Sequence, residues 1–203
     1  MDKYKITAED LEKRLKLKKP AQDIFCYGSW VYGTFNQNSD RDFIVITDEV
    51  SGQYSDNLLN VSFFTKEEFQ QRIWNHEPSA LETYFLPKEM ILKKTNNYIF
   101  LLDKSKLRIQ FSSKSSNSFV KCKKKLTIEK DYDPYVGKKS LFHSFRILMF
   151  GIQIAKFGRI VDYSQANPLL KEIMRINDWS ELFRKYKSLY NNLSSDFRIV
   201  APL

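Results

Sequence analysis

Cysteine is almost absent from this chain, two among 203 residues, so neither a disulfide framework nor a cysteine-bound metal cluster is on offer. That scarcity fits a reducing compartment, and a cytoplasmic location is expected. No apolar run approaches the roughly 20 residues of a membrane span. The start, Met1-Asp2-Lys3-Tyr4-Lys5, lacks the apolar core of a cleaved secretion signal. Negative charge is in deficit: 24 Asp and Glu face 33 Lys and Arg, for a net charge of +9. What is plentiful excludes disorder, since hydrophobic residues make up 42% and aromatics 15%. The length suits one domain, or one domain with a large appendage, and can bury a core.

The cation surplus is local. Residues 1–102 carry 13 basic and 15 acidic side chains, residues 103–146 carry 12 and 4, and residues 147–203 carry 8 and 5. The middle stretch, centred on Lys121, Lys123, Lys124 and Lys125, holds nearly the whole excess. Such a field attracts phosphates, on a nucleic acid or a nucleoside triphosphate; a solvated helix face is the plain alternative.

Thr7-Ala8-Glu9-Asp10 predicts a capped helix running toward Lys19-Pro20. Ile24 to Tyr27 and Asp42 to Thr47 read as buried strands, and the polar loop Asp48 to Asn57 leads to a third strand, Leu58 to Phe64. Thr65-Lys66-Glu67-Glu68 is a capping box for a helix with Phe69 and Ile73 inward, and a short helix follows from Ser79 to Phe85. After Leu102 the character changes. Ser and Lys are dense from Ser112 to Lys125, and apolar residues then recur at helical spacing from about Gly137 to Ala155, around Leu170 and around Leu182. The expected organisation is two domains, 1–111 and 112–203, the second mostly helical.

The informative segment is Tyr27-Gly28-Ser29-Trp30-Val31-Tyr32-Gly33-Thr34, followed by Ser39-Asp40-Arg41-Asp42-Phe43. Gly28 permits close backbone approach, Ser29 brings a hydroxyl, and a helix start presents amides; together they suit a phosphate. Asp40 and Asp42 are two apart at a strand start, hence on one face. Paired carboxylates repel unless a cation lies between them, and hard oxygen ligands suit Mg²⁺.

These residues resemble the nucleotidyltransferase superfamily related to DNA polymerase beta, whose pattern is Gly-Ser, a spacer of some ten residues, and Asp-x-Asp between apolar neighbours. Tyr32-Gly33-Thr34 and Ser39 resemble the variant in poly(A) polymerases and minimal nucleotidyltransferases. The resemblance implies an α+β fold, with a small mixed sheet flanked by helices and a helical C-terminal half. It implies transfer of a nucleoside monophosphate from an NTP such as ATP to a hydroxyl, assisted by two Mg²⁺ ions on Asp40 and Asp42. By the same resemblance Gly28 and Ser29 hold phosphates, and Ser118, Lys121 and Lys125 take the β- and γ-phosphates. The basic segment 103–146 favours RNA as acceptor, and a protein partner stays open.

A third carboxylate usually sits on the next strand, and here Asn60 falls at that place. Asn can coordinate Mg²⁺ through its carbonyl but is a poor general base. Asp56 from the loop, Glu82, or a weakened site are the competing accounts. A weakened site would make the chain a binding module for RNA, nucleotide or protein, such as an antitoxin or accessory subunit. Arg41 replaces the usual apolar residue between the aspartates. Trp30, Tyr32 and Phe35 are candidates for base stacking or for core. Lys138, Lys139, Ser140, His143 and Arg146 form a second basic cluster, and Cys122 lies among lysines as a reactive or an inert thiol.

Overall fold

The computed structural model describes residues 6–48 and 51–203, so the reading of Met1 to Lys5 lies outside it. Packing divides the chain into two compact units: Met1–Asn75 with Ser79–Leu101, and His76–Pro78 with Leu102–Leu203.

Unit 1 opens with α1 (Ala8–Leu15), capped as its sequence predicts. The Thr7 hydroxyl accepts from the Asp10 amide at 3.1 Å, and the Asp10 carboxylate accepts from the Thr7 amide at 3.2 Å. The helix stops earlier than Lys19-Pro20, because Lys16 adopts a left-handed backbone (φ 53) that turns its amide back onto Glu12 and Lys13 carbonyls. Five strands follow: β1 (Asp23–Tyr27), β2 (Arg41–Ile46), β3 (Gly52–Ser55), β4 (Leu59–Phe64) and β5 (Ile91–Lys93). They form one mixed sheet in the order β3-β4-β2-β1-β5, with β2 and β4 parallel and the other pairs antiparallel. The single turn α2 (Ser29–Tyr32) joins β1 to the loop before β2. Helices α3 (Lys66–Trp74) and α4 (Pro78–Tyr84) follow the sheet's central strands. The Thr65–Glu68 capping box forms, and Phe69 packs on Phe25 (centroids 5.8 Å) and edge-on to Tyr98 (5.0 Å).

Two strands differ from the sequence reading. Part of the expected polar loop is β3, an edge strand whose Gly-Gln-Tyr-Ser carries no apolar alternation because its side chains are largely exposed. β5 is three half-buried residues, too short to leave a period. One buried charge is structural: Asp23, 0% exposed, accepts from the Thr95 amide (2.6 Å), the Asn96 amide and side chain, and the Tyr98 hydroxyl. It ties the segment after β5 back to β1.

Unit 2 is helical: α5 (Lys104–Thr127), α6 (Pro134–Phe157), α7 (Asn167–Ile173) and α8 (Trp179–Val200). Aspartates cap three of these starts, Asp103, Asp133 and Asp178 each accepting from an amide three residues on. The compositional change near residue 112 lies inside α5, whereas packing divides the chain at Leu101 and Leu102. The core gathers Cys122, Leu126, Leu141, Phe142, Phe145, Ile173, Leu182 and Tyr186, the periodic faces that the sequence displays. Gly151 lets α6 meet α8, since a Cβ there would lie 2.6 Å from the Phe197 ring.

Candidate active site

β1 ends at Gly28, whose backbone turns with φ +73 into α2. A side chain is excluded there on two counts. The angle is unfavourable for any L residue, and a Cβ would lie 2.0 Å from an oxygen of the Asp42 carboxylate. The glycine turn and the aspartate are therefore in direct contact, which spacing alone suggests but does not establish. Gly33 closes the turn with φ 71, its amide reaching the Ser29 carbonyl.

Asp42 lies opposite Tyr27 on β1 and beside Asn60 on the parallel strand β4. The Asn60 side-chain nitrogen donates to Asp40 Oδ2 and, at 3.4 Å, to Asp42 Oδ1. One amide thus touches both carboxylates, so the two acids converge on one point. Asn60 Oδ1 accepts from the Ser55 hydroxyl at 2.5 Å, across the β3–β4 pair. Ser55 escapes a sequence reading because nothing before folding links an exposed edge-strand serine to residue 60.

The rival acids are engaged elsewhere. Asp56 accepts from Arg14 Nε (2.9 Å) and Nη2 (2.7 Å), the Tyr54 hydroxyl (2.7 Å) and the amides of Leu58 (2.8 Å) and Leu59 (3.0 Å). Desolvation pulls its pKa up, but the hydrogen bonds from Tyr54, Leu58, Arg14 and Leu59 outweigh it and hold the carboxyl well below its ordinary range. Glu82, 1% exposed, accepts from the Tyr32 hydroxyl. Among the described residues no cluster of three His, Cys, Asp or Glu forms a metal site. A divalent cation nevertheless fits the donors present: two converging carboxylates, hard oxygens beside a glycine cradle, with the Asn60 carbonyl turned away to Ser55.

Arg41 points to the opposite face from the aspartates and is buried at 8% exposure. Its guanidinium lies 4.2 Å from the Trp30 centroid and donates to Cys26 Sγ at 3.4 Å. Phe35 stacks on Trp30 at 3.9 Å and 4°, so both faces of the indole are occupied and Trp30 has none left for a base. Tyr32 is buried at 3%, and Phe35, 42% exposed, is the one of the three with an accessible ring. Trp30 Nε1 donates to the Asp40 carbonyl at 2.8 Å, which anchors the Asp40-Arg41-Asp42 segment.

A sequence model described as a nucleotidyltransferase domain matches residues 8–130, more than half of the chain and all of this site. The chain belongs to the nucleotidyltransferase domain family. A solved structure, a nucleotidyltransferase-like protein from Exiguobacterium sibiricum 255-15, aligns at 14% identity over 96% of this chain and 73% of its own, with a TM-score of 0.31. A likeness that faint carries no argument about function. No curated protein matches the chain.

In unit 2 the three residues expected to hold the triphosphate share α5 but not one fate. Ser118 is buried at 8%, and its hydroxyl donates to the Lys114 carbonyl at 3.0 Å. Lys125 pairs with Asp131 at 2.7 Å. Lys121 is exposed. Of the second cluster, Lys138 donates to the Met174 carbonyl and to Asn177 Oδ1, both at 2.8 Å, and Ser140 to the Val136 carbonyl. Cys122 is 0% exposed and burial pushes its thiol up to about 12, so of its two readings the inert one holds. No helix of the described residues is long and apolar enough to cross a membrane.

Proposed function

We propose that this nucleotidyltransferase domain moves a nucleoside monophosphate from an NTP to a hydroxyl acceptor, with RNA favoured by the basic segment 103–146. The observation that carries the reading is the convergence of Asp40 and Asp42 on one amide beside the Gly28 turn. Asp40 and Asp42 would hold Mg²⁺, and Asn60 would join them through its carbonyl once the amide rotates, its nitrogen then facing Ser55. Two Mg²⁺ ions held by these residues would supply Lewis-acid polarisation at the α-phosphate and charge neutralisation for the pyrophosphate. Ser29 contributes its hydroxyl, and the backbone at that turn its amides, toward phosphate oxygens. Because α2 is a single turn, these are individual hydrogen bonds and not a helix-dipole effect. Ser118, Lys121 and Lys125 remain the residues proposed from resemblance for the β- and γ-phosphates, with Lys121 the most accessible. The acceptor hydroxyl would lose its proton to Asp40 or Asp42, since an amide is no base.

A second reading has a specific observation behind it. Asn60 as observed donates to the carboxylates and neutralises part of their repulsion without metal, which suits a module that binds RNA, nucleotide or a protein and does not catalyse. Incubation with labelled NTP, Mg²⁺ and RNA decides between them. Label transfer that is lost in Asp40→Asn and Asp42→Asn supports the enzyme; absence of transfer to RNA, protein or small hydroxyl acceptors supports the module.

A further inference from the structure

In a chain with 28% charged residues, residues 28–39 include no Asp, Glu, Lys, Arg or His. This neutral stretch ends at Asp40, and its part Phe35-Asn36-Gln37-Asn38 is exposed at every residue. An apolar ring thus stands in water among carboxamides, directly before the aspartate pair.

The loop around that ring is held in shape. The Thr34 amide donates to the Ser29 carbonyl at 2.9 Å, and the Asn36 amide to Ser39 Oγ at 2.9 Å. The Asn38 amide donates to Asn36 Oδ1 at 2.8 Å, and the Ser39 amide to the Asn36 carbonyl at 2.9 Å. Phe35 lies between these turns, its ring parallel to Trp30 with centroids 3.9 Å apart and 4° between the planes. Trp30 is fixed in turn by the Arg41 guanidinium, 4.2 Å from its centroid, and by its Nε1 donating to the Asp40 carbonyl at 2.8 Å. The stack runs Arg41, Trp30, Phe35, and at 42% exposure Phe35 leaves its outer face to solvent.

Two features select what such a face can hold. It is a single ring bordered by carboxamides, so it lacks the contiguous apolar area that a protein partner buries. The loop carries no charge, so it has no cation to offer a phosphate. A flat, neutral ring with hydrogen-bonding edges fits both conditions. Aromatic faces stack on bases, and the amides of Asn and Gln match donor and acceptor pairs on base edges. A ring already immobilised by its backing loses little freedom when a ligand stacks on it.

We propose that Phe35 is the stacking platform for a nucleobase beside Asp40 and Asp42, with loop 36–38 along the base edge and Trp30 and Arg41 as its backing. The proposal rests on the nucleotidyl-transfer reading for its ligand class, and it concerns the neutral part of the ligand rather than its phosphates. The base belongs to the NTP or to the acceptor end, and either presents the same face.

The decisive variant is Phe35→Leu, which still covers the indole but has no flat ring; Phe35→Tyr keeps one. Because the ring is exposed, neither change should alter the circular dichroism of the helices. The probes are tripolyphosphate, α,β-methylene-ATP and oligoadenylate, each with Mg²⁺ at constant ionic strength, so that no transfer contributes. Phe35→Leu should weaken at least one base-bearing probe by about tenfold, Phe35→Tyr should restore it, and tripolyphosphate should bind all three proteins alike. A loss with the ATP analogue assigns the base of the NTP, and a loss with oligoadenylate alone assigns a base of the acceptor. Unchanged affinity for both, an equal loss with tripolyphosphate or in Phe35→Tyr, or a parent protein that binds neither base-bearing probe overturns the proposal. Label transfer is scored apart. Phe35-dependent base binding without transfer removes only the enzymatic reading, and transfer with Phe35-independent binding removes only the stacking platform.

Discussion

In unit 1 the charged groups at the site are carboxylates approached by neutral donors. An amide bridges Asp40 and Asp42, and Arg41 between them is turned to the other face of β2 against Trp30. In unit 2 the crowded groups are cations, and an arginine is set against a histidine with lysines around it. Each unit thus gathers one sign of charge at one place, carboxylates in the first and cations in the second.

The contrast can be broken most severely at its glycines. Gly28→Ala drives a methyl into the Asp42 carboxylate at a backbone angle that L residues avoid. Transfer should fall by roughly 10³-fold, as it should in Asp42→Asn, while circular dichroism of the helices persists. In unit 2 the corresponding change is Gly151→Ala, which meets the Phe197 ring at 2.6 Å. Overpacking there should cost about 1–3 kcal/mol in urea unfolding, with the metal affinity of unit 1 unchanged. If Gly151→Ala abolished metal binding, the separation of the two charge sites would be refuted.

A sharper probe is Asn60→Asp. A third carboxylate should raise Mn²⁺ affinity by about tenfold, read by electron paramagnetic resonance, and Ser55→Ala should weaken metal binding only when residue 60 is Asn. Gentle acid gives a smaller effect, with a definite sign. Asp56 has its pKa lowered by folding, so its contribution is complete above the unfolded carboxyl pKa of about 3.9 and is lost as pH falls toward the folded value. Arg14→Gln should shift the acid-unfolding midpoint of unit 1 upward. The smallest effect belongs to Lys125→Gln: its ion pair with Asp131 is partly exposed and worth about 1 kcal/mol or less, so thermal stability should barely move.

Much of unit 1 was readable beforehand, because its signals are local. The capping boxes at Thr7 and Thr65 each need three residues of context, and the same-face placement of Asp40 and Asp42 needs only strand alternation. The resemblance puts residue 60 at the place of a third carboxylate on the next strand, and the structure pairs it with Asp42 across β2 and β4. What could not be read was which acids were already engaged. Asp56 is clamped by Arg14, forty-two residues away, and Glu82 by Tyr32, fifty away. Likewise the resemblance implies Ser118 and Lys125 as phosphate ligands, and only the fold shows that one bonds its own helix backbone and the other an aspartate beyond the helix end.

The amino-acid sequence by itself determined the kind of chemistry, since Gly28-Ser29 and the Asp40, Asp42 pair are constrained by steps of one or two residues along a turn and a strand. It also determined where cations accumulate. Tertiary structure alone decided which polar groups remain to meet a ligand. Hydrogen bonds and ion pairs form between residues that only packing brings within about 3 Å, and each partner acquired inside the fold removes a group from the surface available outside it.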